Sequence, residues 1–213
     1  MDEILKKYSP LNYINVSREM CVDFDKFIEM IIVKNEEINI ISKETCKSDN
    51  IRNRHIIDSA QAIEFVDLNS NTTSDLGSGG GLPGIVIAII IKSMKKDIKV
   101  NLYEKSHHKS AFLREVSRKL NLNTNIVQKN IFEATESKPG TIMARAFKPL
   151  PVVLELVYKN LSGYKNLIMF MGKSGVKILD ETLVKWDLNY EKKKSITSEE
   201  SFLLNIKNIK KKN

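Results

Sequence analysis

An α/β fold with a largely parallel sheet, preceded by a purely helical segment, is what this sequence predicts. Three observations carry the prediction. Helical apolar periodicity fills the first third of the chain, short β-like runs alternate with helical ones from residue 72 onward, and a glycine-rich turn links the first of those runs to the next helix. With 213 residues and 42% hydrophobic content the chain can bury one substantial core, and two large domains are not expected.

Taken in order, the segment from Ser17 to Ile41 repeats apolar residues at Met20, Cys21, Phe24, Phe27, Ile28, Ile31 and Ile32, the spacing of an amphipathic helix. A second helical stretch opens at Ser48 or Asp49, both good N-cap residues, and runs through Ile56, Ile57, Ala60 and Ile63 toward Val66. Residues 1–68 are therefore read as an N-terminal helical extension and 69–213 as the α/β domain. The polar stretch Asn69 to Thr72 forms the junction. Strands are expected near Thr72 to Leu76, Lys99 to Tyr103, Asn125 to Gln128, Thr141 to Ala144 and Asn166 to Met171. Crossover helices are expected after Pro83, over His107 to Leu120 and over Pro149 to Leu161. Leu188 to Asn208 holds two further extended runs around Ser198-Glu-Glu-Ser201, which favours an antiparallel closing hairpin. The lysine-rich tail from Lys207 to Asn213 reads as frayed and solvated.

Charge and composition narrow the function classes. A net charge of +8 permits a polyanionic partner, although a Lys-, Asn- and Ile-rich composition produces the same balance. Only six arginines occur, so each is worth an individual reading, because the planar guanidinium is the side chain suited to phosphate and base edges. Cys21 and Cys46 lie in no metal-ligand or redox spacing, so neither a disulfide framework nor a metal site is expected. No apolar run is long enough to span a bilayer, and the expectation is a cytoplasmic protein without membrane contact.

The segment Asp75-Leu-Gly-Ser-Gly-Gly-Gly-Leu-Pro-Gly84 is the strongest chemical signal. Glycines let the backbone approach a ligand closely and reach φ > 0. The following helix start favours an anion. Asp75 would repel a phosphate placed beside it, so a ligand with both an ammonium and a carboxylate is expected. Gly79-x-Gly81-x-x-Gly84 formally satisfies the dinucleotide fingerprint, but the frame Asp75-x-Gly77-x-Gly79-x-Gly81 fits a strand end better. Glu104, at the end of the second strand, suits a ribose diol in either frame. The plain alternative is a tight connection with no ligand. His107 and His108, in the first turn of a helix, read as solvent-exposed.

The motifs Asn39-Ile-Ile-Ser42, Arg54-His-Ile-Ile-Asp-Ser59, the glycine segment, Lys109-x-x-Phe-Leu-Arg-Glu-Val116 and Arg145-Ala-Phe-x-Pro-Leu150 resemble, in order and spacing, the bacterial 16S ribosomal RNA guanine-N7 methyltransferases, also called glucose-inhibited division protein B. The resemblance covers roughly Ile38 to Gly175. It implies a Rossmann-like seven-stranded S-adenosylmethionine-dependent methyltransferase fold with an N-terminal helical extension, acting on N7 of a guanine near the decoding centre. It also implies S-adenosyl-L-methionine, with its amino-acid part at the glycine loop, its ribose near Glu104 and its adenine near Ile131 and Phe132, and carries over Gly77, Leu82, Ile131, Phe132 and Arg145 as cofactor positions; the reading of the loop itself adds Asp75 and Gly79. The sequence departs from the family pattern at Asn130, where an arginine is common, and at Gly172-Lys173, where the order is reversed.

Candidate RNA contacts are Arg52, Arg54, His55, Arg145, Lys148 and Lys173, with Arg54 and His55 alternatively bracing the extension by pairing with Asp58. No general base is expected, because guanine N7 carries a free lone pair. The expected partner is 16S ribosomal RNA or the small ribosomal subunit, bound by a monomer. The competing readings are a methyltransferase for small molecules or proteins, a nicotinamide oxidoreductase, and a noncatalytic RNA-binding module.

Overall fold

The computed structural model describes residues 2–133 and 138–212. Seven strands form one sheet in the order β3-β2-β1-β4-β5-β7-β6. They are β1 (Thr72–Leu76), β2 (Lys99–Tyr103), β3 (Thr124–Val127), β4 (Thr141–Arg145), β5 (Asn166–Met171), β6 (Trp186–Lys194) and β7 (Phe202–Lys211). The first five run parallel, β7 lies antiparallel against β5, and β6 closes the edge antiparallel to β7. The chain winds outward from β1 to β3 and then returns to place β4 on the other side of β1. That reversal opens a crevice at the carboxyl ends of β1 and β4, where open α/β sheets bind ligands.

The helices follow the apolar periodicity. Ahead of the sheet stand α1 (Glu3–Lys7), α2 (Arg18–Asn35), α3 (Ser48–Ile51) and α4 (Asp58–Ala60), with a π-helical turn over Arg52–Ile57 between the last two and a 3-10 turn over Gln61–Phe65 after them. The crossovers are α5 (Gly84–Ser93), α6 (His107–Lys119), α7 (Leu150–Asn160) and α8 (Gly175–Leu183). Ser17 caps α2 by accepting from the Met20 N–H at 3.1 Å. The second expected cap differs, since Lys47 holds that position and Ser48 is already helical. Helix α8 had no counterpart among the expected elements. Its nine residues bury only Gly175, Leu179 and Thr182, too short an apolar stripe to stand out in the sequence.

Two apolar cores flank the sheet. One joins Phe24, Phe27, Ile56 and Ile57 of the N-terminal helices to α5 and α6, and the other joins α7 and α8 to the strands on the far side. Helix α5 lies between the sheet and the N-terminal helices, which explains why every residue from Gly84 to Ile91 is buried. Strand β1 carries Thr72, Thr73 and Ser74 where a central strand is usually aliphatic. The Thr73 hydroxyl donates to the Thr141 carbonyl at 3.0 Å, so one of these polar groups is satisfied inside the core. Ser74 Oγ finds no partner.

The tail corrects an expectation. Lys207 to Lys211 is not frayed but completes β7: Lys207 sits at a bulge, Asn208 to Lys211 pair with Trp186 to Asn189, and Ile209 is 8% exposed; Asn213 lies outside the described residues. Truncation after Ile206 should therefore expose Trp186 and Leu188 and cost roughly 2–3 kcal/mol. Thermal melting should show a fall of about 5–10 °C. An unchanged melting temperature would contradict the pairing.

Candidate functional site

A cleft of about 690 Å³ opens at the carboxyl edge of the sheet, within the range of small-molecule sites. Its floor is the glycine loop after β1. Gly77, Gly79 and Gly81 adopt φ of +72°, +54° and +91°, a region that side-chain-bearing residues rarely occupy. A Cβ built on Gly77 would lie 2.2 Å from the Phe147 ring and one on Gly80 would lie 2.5 Å from Ile40 Cγ2. One on Gly79 meets nothing closer than 3.9 Å. The loop is thus pressed between two walls and is bare at Gly79.

Two carboxylates hold this loop, in different ways. Asp75 is buried beneath it and accepts the Gly84 N–H at 3.0 Å, which fixes the start of α5. Its other oxygen has no partner, and burial pushes its pKa up to about 7. Asp75 does not line the cleft, so the structure places it as a support of the loop. Glu104 does line the cleft. It accepts the Gly79 N–H at 2.9 Å and the Ser106 N–H at 2.7 Å, coupling the loop to the start of α6. A carboxylate offers about four lone-pair sites, so these bonds leave room for ligand hydroxyls.

Gly77, Gly79, Leu82, Glu104, Ile131, Phe132 and Arg145 come together around the cleft, and so do His55 and Lys148. Ile131 is buried while Phe132 is 41% exposed, its ring centroid 6.1 Å from that of Phe147. Asn130 sits at the family's arginine position and accepts the Phe132 N–H at 3.3 Å, steadying the short turn that carries Ile131 and Phe132. His107 and His108 are exposed and outside the cleft lining.

Arg145 has a more specific setting than its position suggested. Its guanidinium donates to the Arg54 carbonyl at 2.7 Å, the His55 carbonyl at 3.4 Å and Ser59 Oγ at 2.8 Å, and pairs with Asp58 at 2.9 Å. Phe170 covers it, with the ring centroid 5.5 Å from Cζ. The π-helical turn presents those carbonyls at the sheet edge, and each carbonyl oxygen has a second lone pair for an outside donor. Asp58 therefore pairs with Arg145, and not with Arg54 or His55 as the bracing alternative held. Its other oxygen accepts from Gln61, Ser195 and Thr197, which ties in the turn between β6 and β7.

His55 bonds Thr45 at 3.2 Å, and burial together with nearby Arg145 lowers its pKa to about 4, so the ring is neutral at pH 7. Two candidate contacts lie elsewhere. Arg52 is buried against Tyr8 and paired with Asp49 and Asp25, a brace for the helices, and Lys173 pairs with Glu200. Neither lines the cleft. Arg54 has an exposed side chain and contributes its carbonyl to Arg145. The wall formed by Ile40, Ile41 and Ser42 was not singled out as a site, although the Asn39-Ile-Ile-Ser42 motif marked it. Asn35 secures that wall by accepting the Ile40 and Ile41 N–H groups at 2.8 and 2.9 Å.

Among the described residues no cluster of His, Cys, Asp and Glu could hold a metal, and no helix is long and apolar enough to cross a membrane.

Solved structures share this architecture at low identity. A SAM-dependent methyltransferase from Aquifex aeolicus superposes with TM-score 0.54 at 13% identity, covering 70% of this chain and 88% of that one. A mutant of MtNAS, solved in complex with S-adenosylmethionine, gives TM-score 0.57 at 15% identity over 84% of this chain and 72% of that one. The fold is that of the Rossmann-like S-adenosylmethionine-dependent methyltransferases. Within that class, the family model GidB, described as rRNA small subunit methyltransferase G, matches residues 20–206, and the chain belongs to this family. A relative from Pelagibacter ubique named Ribosomal RNA small subunit methyltransferase G is 66% identical over the whole of both chains. One from Rickettsia rickettsii (strain Sheila Smith) with the same name is 31% identical over 93% of this chain and 99% of its own.

Removing the Asp58 carboxylate leaves Arg145 without its counter-ion in a largely buried site. Asp58→Ala should cost about 3 kcal/mol in chemical denaturation. Arg54→Ala, which leaves every carbonyl in place, should cost under about 0.5 kcal/mol. Equal effects would show that Asp58 is not the hub.

Because the folded state raises the Asp75 pKa, it binds more protons than the unfolded state between the ordinary carboxylate range and pH 7. That residue's contribution to stability falls as pH rises through this window and is constant above it. The stability of Asp75→Asn minus that of wild type should accordingly increase from pH 4 to pH 7 and then level off. A difference independent of pH would refute the burial argument.

Proposed function

We propose that this protein transfers the methyl group of S-adenosyl-L-methionine to N7 of a guanine in 16S ribosomal RNA near the decoding centre. The observation that carries the reading is full-length identity of 66% to a relative named Ribosomal RNA small subunit methyltransferase G, in a chain whose glycine loop and cleft sit at the sheet's switch point.

The residues present fit the cofactor. Gly79 is bare toward the cleft, Glu104 retains acceptor sites for a ribose diol, and Phe132 offers an exposed ring for a purine face. Gly77, Gly79 and Leu82 would hold the amino-acid part, Glu104 the ribose, and Ile131 with Phe132 the adenine. Asp75 acts through the loop it fixes. Arg145 shapes the cleft beside the cofactor and keeps the following Phe147 packed over Gly77.

When bound, the cofactor supplies an electrophilic methyl group on a positively charged sulfur. Guanine N7 has a free lone pair and no proton, so the protein need not remove one. The neutral His55 is accordingly assigned no proton transfer. The work left to the chain is orientation, holding N7 in line with the methyl and sulfur, which turns a two-body encounter into an organised one. A base inside a duplex cannot reach such a cleft, so the guanine must be unstacked or already single-stranded.

The test is transfer of labelled methyl from S-adenosylmethionine to small subunits and to naked 16S RNA, both from cells lacking the modification, with the labelled base mapped. Label at a guanine N7 near the decoding centre is expected. Label in protein or small molecules alone would overturn the reading. Phe132→Ala should raise the cofactor Kd about 5- to 150-fold, as loss of a stacking contact worth about 1–3 kcal/mol.

A further inference from the structure

Resting on the ribosomal RNA reading, we propose that the phosphates of the substrate strand are taken by four lysines on the cleft rim, Lys105, Lys109, Lys129 and Lys148, and not by the buried arginines. All four line the cleft, and Lys105, Lys129 and Lys148 are exposed while Lys109 is partly so. They follow three different strands of one sheet edge: Lys129 follows β3, Lys105 and Lys109 follow β2, and Lys148 follows β4.

In the sheet order β3-β2-β1-β4 these positions span three inter-strand spacings, roughly 14 Å at about 4.8 Å each. That is a track about two nucleotides long for an extended strand, enough for the phosphates on either side of one base. None of the four has a carboxylate within ion-pair distance among the described residues. Glu104, the carboxylate that lines the cleft with them, is turned to the Gly79 and Ser106 N–H groups. Among the described residues, the rim's positive charge is thus left for an outside anion.

The arginines are differently placed. Arg145 spends its donors on Asp58, Ser59 and two carbonyls, and Arg52 is buried among Tyr8, Asp25 and Asp49. Lysine is sufficient for the rim, since a phosphate track requires point charges that follow a flexible backbone and no fixed fork. The charge is arranged around a cleft at the sheet edge that a base stacked inside a duplex cannot reach, so the occupant is a single strand with a splayed nucleotide.

The experiment measures binding of fluorescent naked 16S RNA to the full chain as a function of salt, for wild type, Lys105→Ala/Lys109→Ala, Lys129→Ala/Lys148→Ala and the quadruple variant. S-adenosylmethionine affinity and melting temperature are measured alongside. Each phosphate contact on a single strand contributes about 0.7 to the slope of log K against log salt. Each double variant should lose about 1.4 of that slope and the quadruple about 2.8, with cofactor affinity and melting temperature retained.

An unchanged slope in the quadruple variant would overturn the proposal while methyl transfer by wild type left the RNA reading standing. Loss of cofactor affinity with RNA binding retained would also overturn it, assigning the lysines to the cofactor carboxylate. Failure of wild type to methylate ribosomal RNA at all would reject the underlying reading instead.

Discussion

The pair formed by Arg145 and Asp58 is the constraint on which the cleft depends. It joins three elements distant in sequence: the end of a central strand, the π-helical turn of the N-terminal helices, and the turn that closes the β6–β7 hairpin. Two charges taken largely out of water are stable together only when their remaining hydrogen-bonding capacity is met. Here the guanidinium finds two backbone carbonyls and a hydroxyl, and the carboxylate finds an amide and two hydroxyls. The arrangement fixes the backbone at Arg145, and the segment that follows carries Phe147 over the glycine loop and Lys148 to the rim. A structural ion pair thereby sets the position of groups proposed to act on the ligand.

The glycine loop is organised by a second, electrostatic division of labour. Asp75 is withdrawn from water and spends one oxygen on the first N–H of α5, while Glu104 stays at the cleft surface and binds the loop from the other side. The same chemical group thus serves two ends because its placement and partners differ. Burial draws Asp75 toward its neutral form beneath the loop, whereas Glu104 lines the cleft and accepts two N–H groups, which leaves acceptor sites for sugar hydroxyls. The two-signed ligand inferred from Asp75 and the helix start remains compatible with this loop, but a direct contact between Asp75 and an ammonium does not follow from its placement.

Much of the fold was readable because local pattern and global topology agree. The expected starts of β1, β2, β4 and β5 coincide with the observed ones, since each run there is bounded by turn residues. The β6–β7 hairpin was also legible from two extended runs with no crossover helix between them. The tail differs from its expectation because lysine content signals solvation, and Ile206 and Ile209, three residues apart, share a face only through the bulge at Lys207, so no period-two alternation marks the strand in the sequence. For the site, glycine density and the end-of-strand Glu104 were visible as chemistry. The partners of Arg145 were not, because the acceptors are mostly backbone carbonyls made available by a π-helical turn, and no side-chain identity announces such a turn. Arg52 shows the same limit: arginine scarcity marked it for attention without telling burial against Tyr8 from exposure to RNA.

The N-terminal helices matter to the cleft for a reason separable from stability. The sheet and its crossovers supply a floor, in the glycine loop, and one flank, in Ile131, Phe132 and Phe147. The opposite flank comes from Ile40, Ile41, Ser42 and His55, all from the segment before β1. Close packing makes that flank and the loop mutually dependent: Ile40 fits against Gly80 only because the glycine has no Cβ, and Asn35 holds the Ile40 backbone there. A shift of the helices would move one wall of the cleft against the other. Under the proposed in-line transfer, which depends on close placement of the reacting atoms, the helical segment would contribute to the geometry of the reaction as well as to the surface around it.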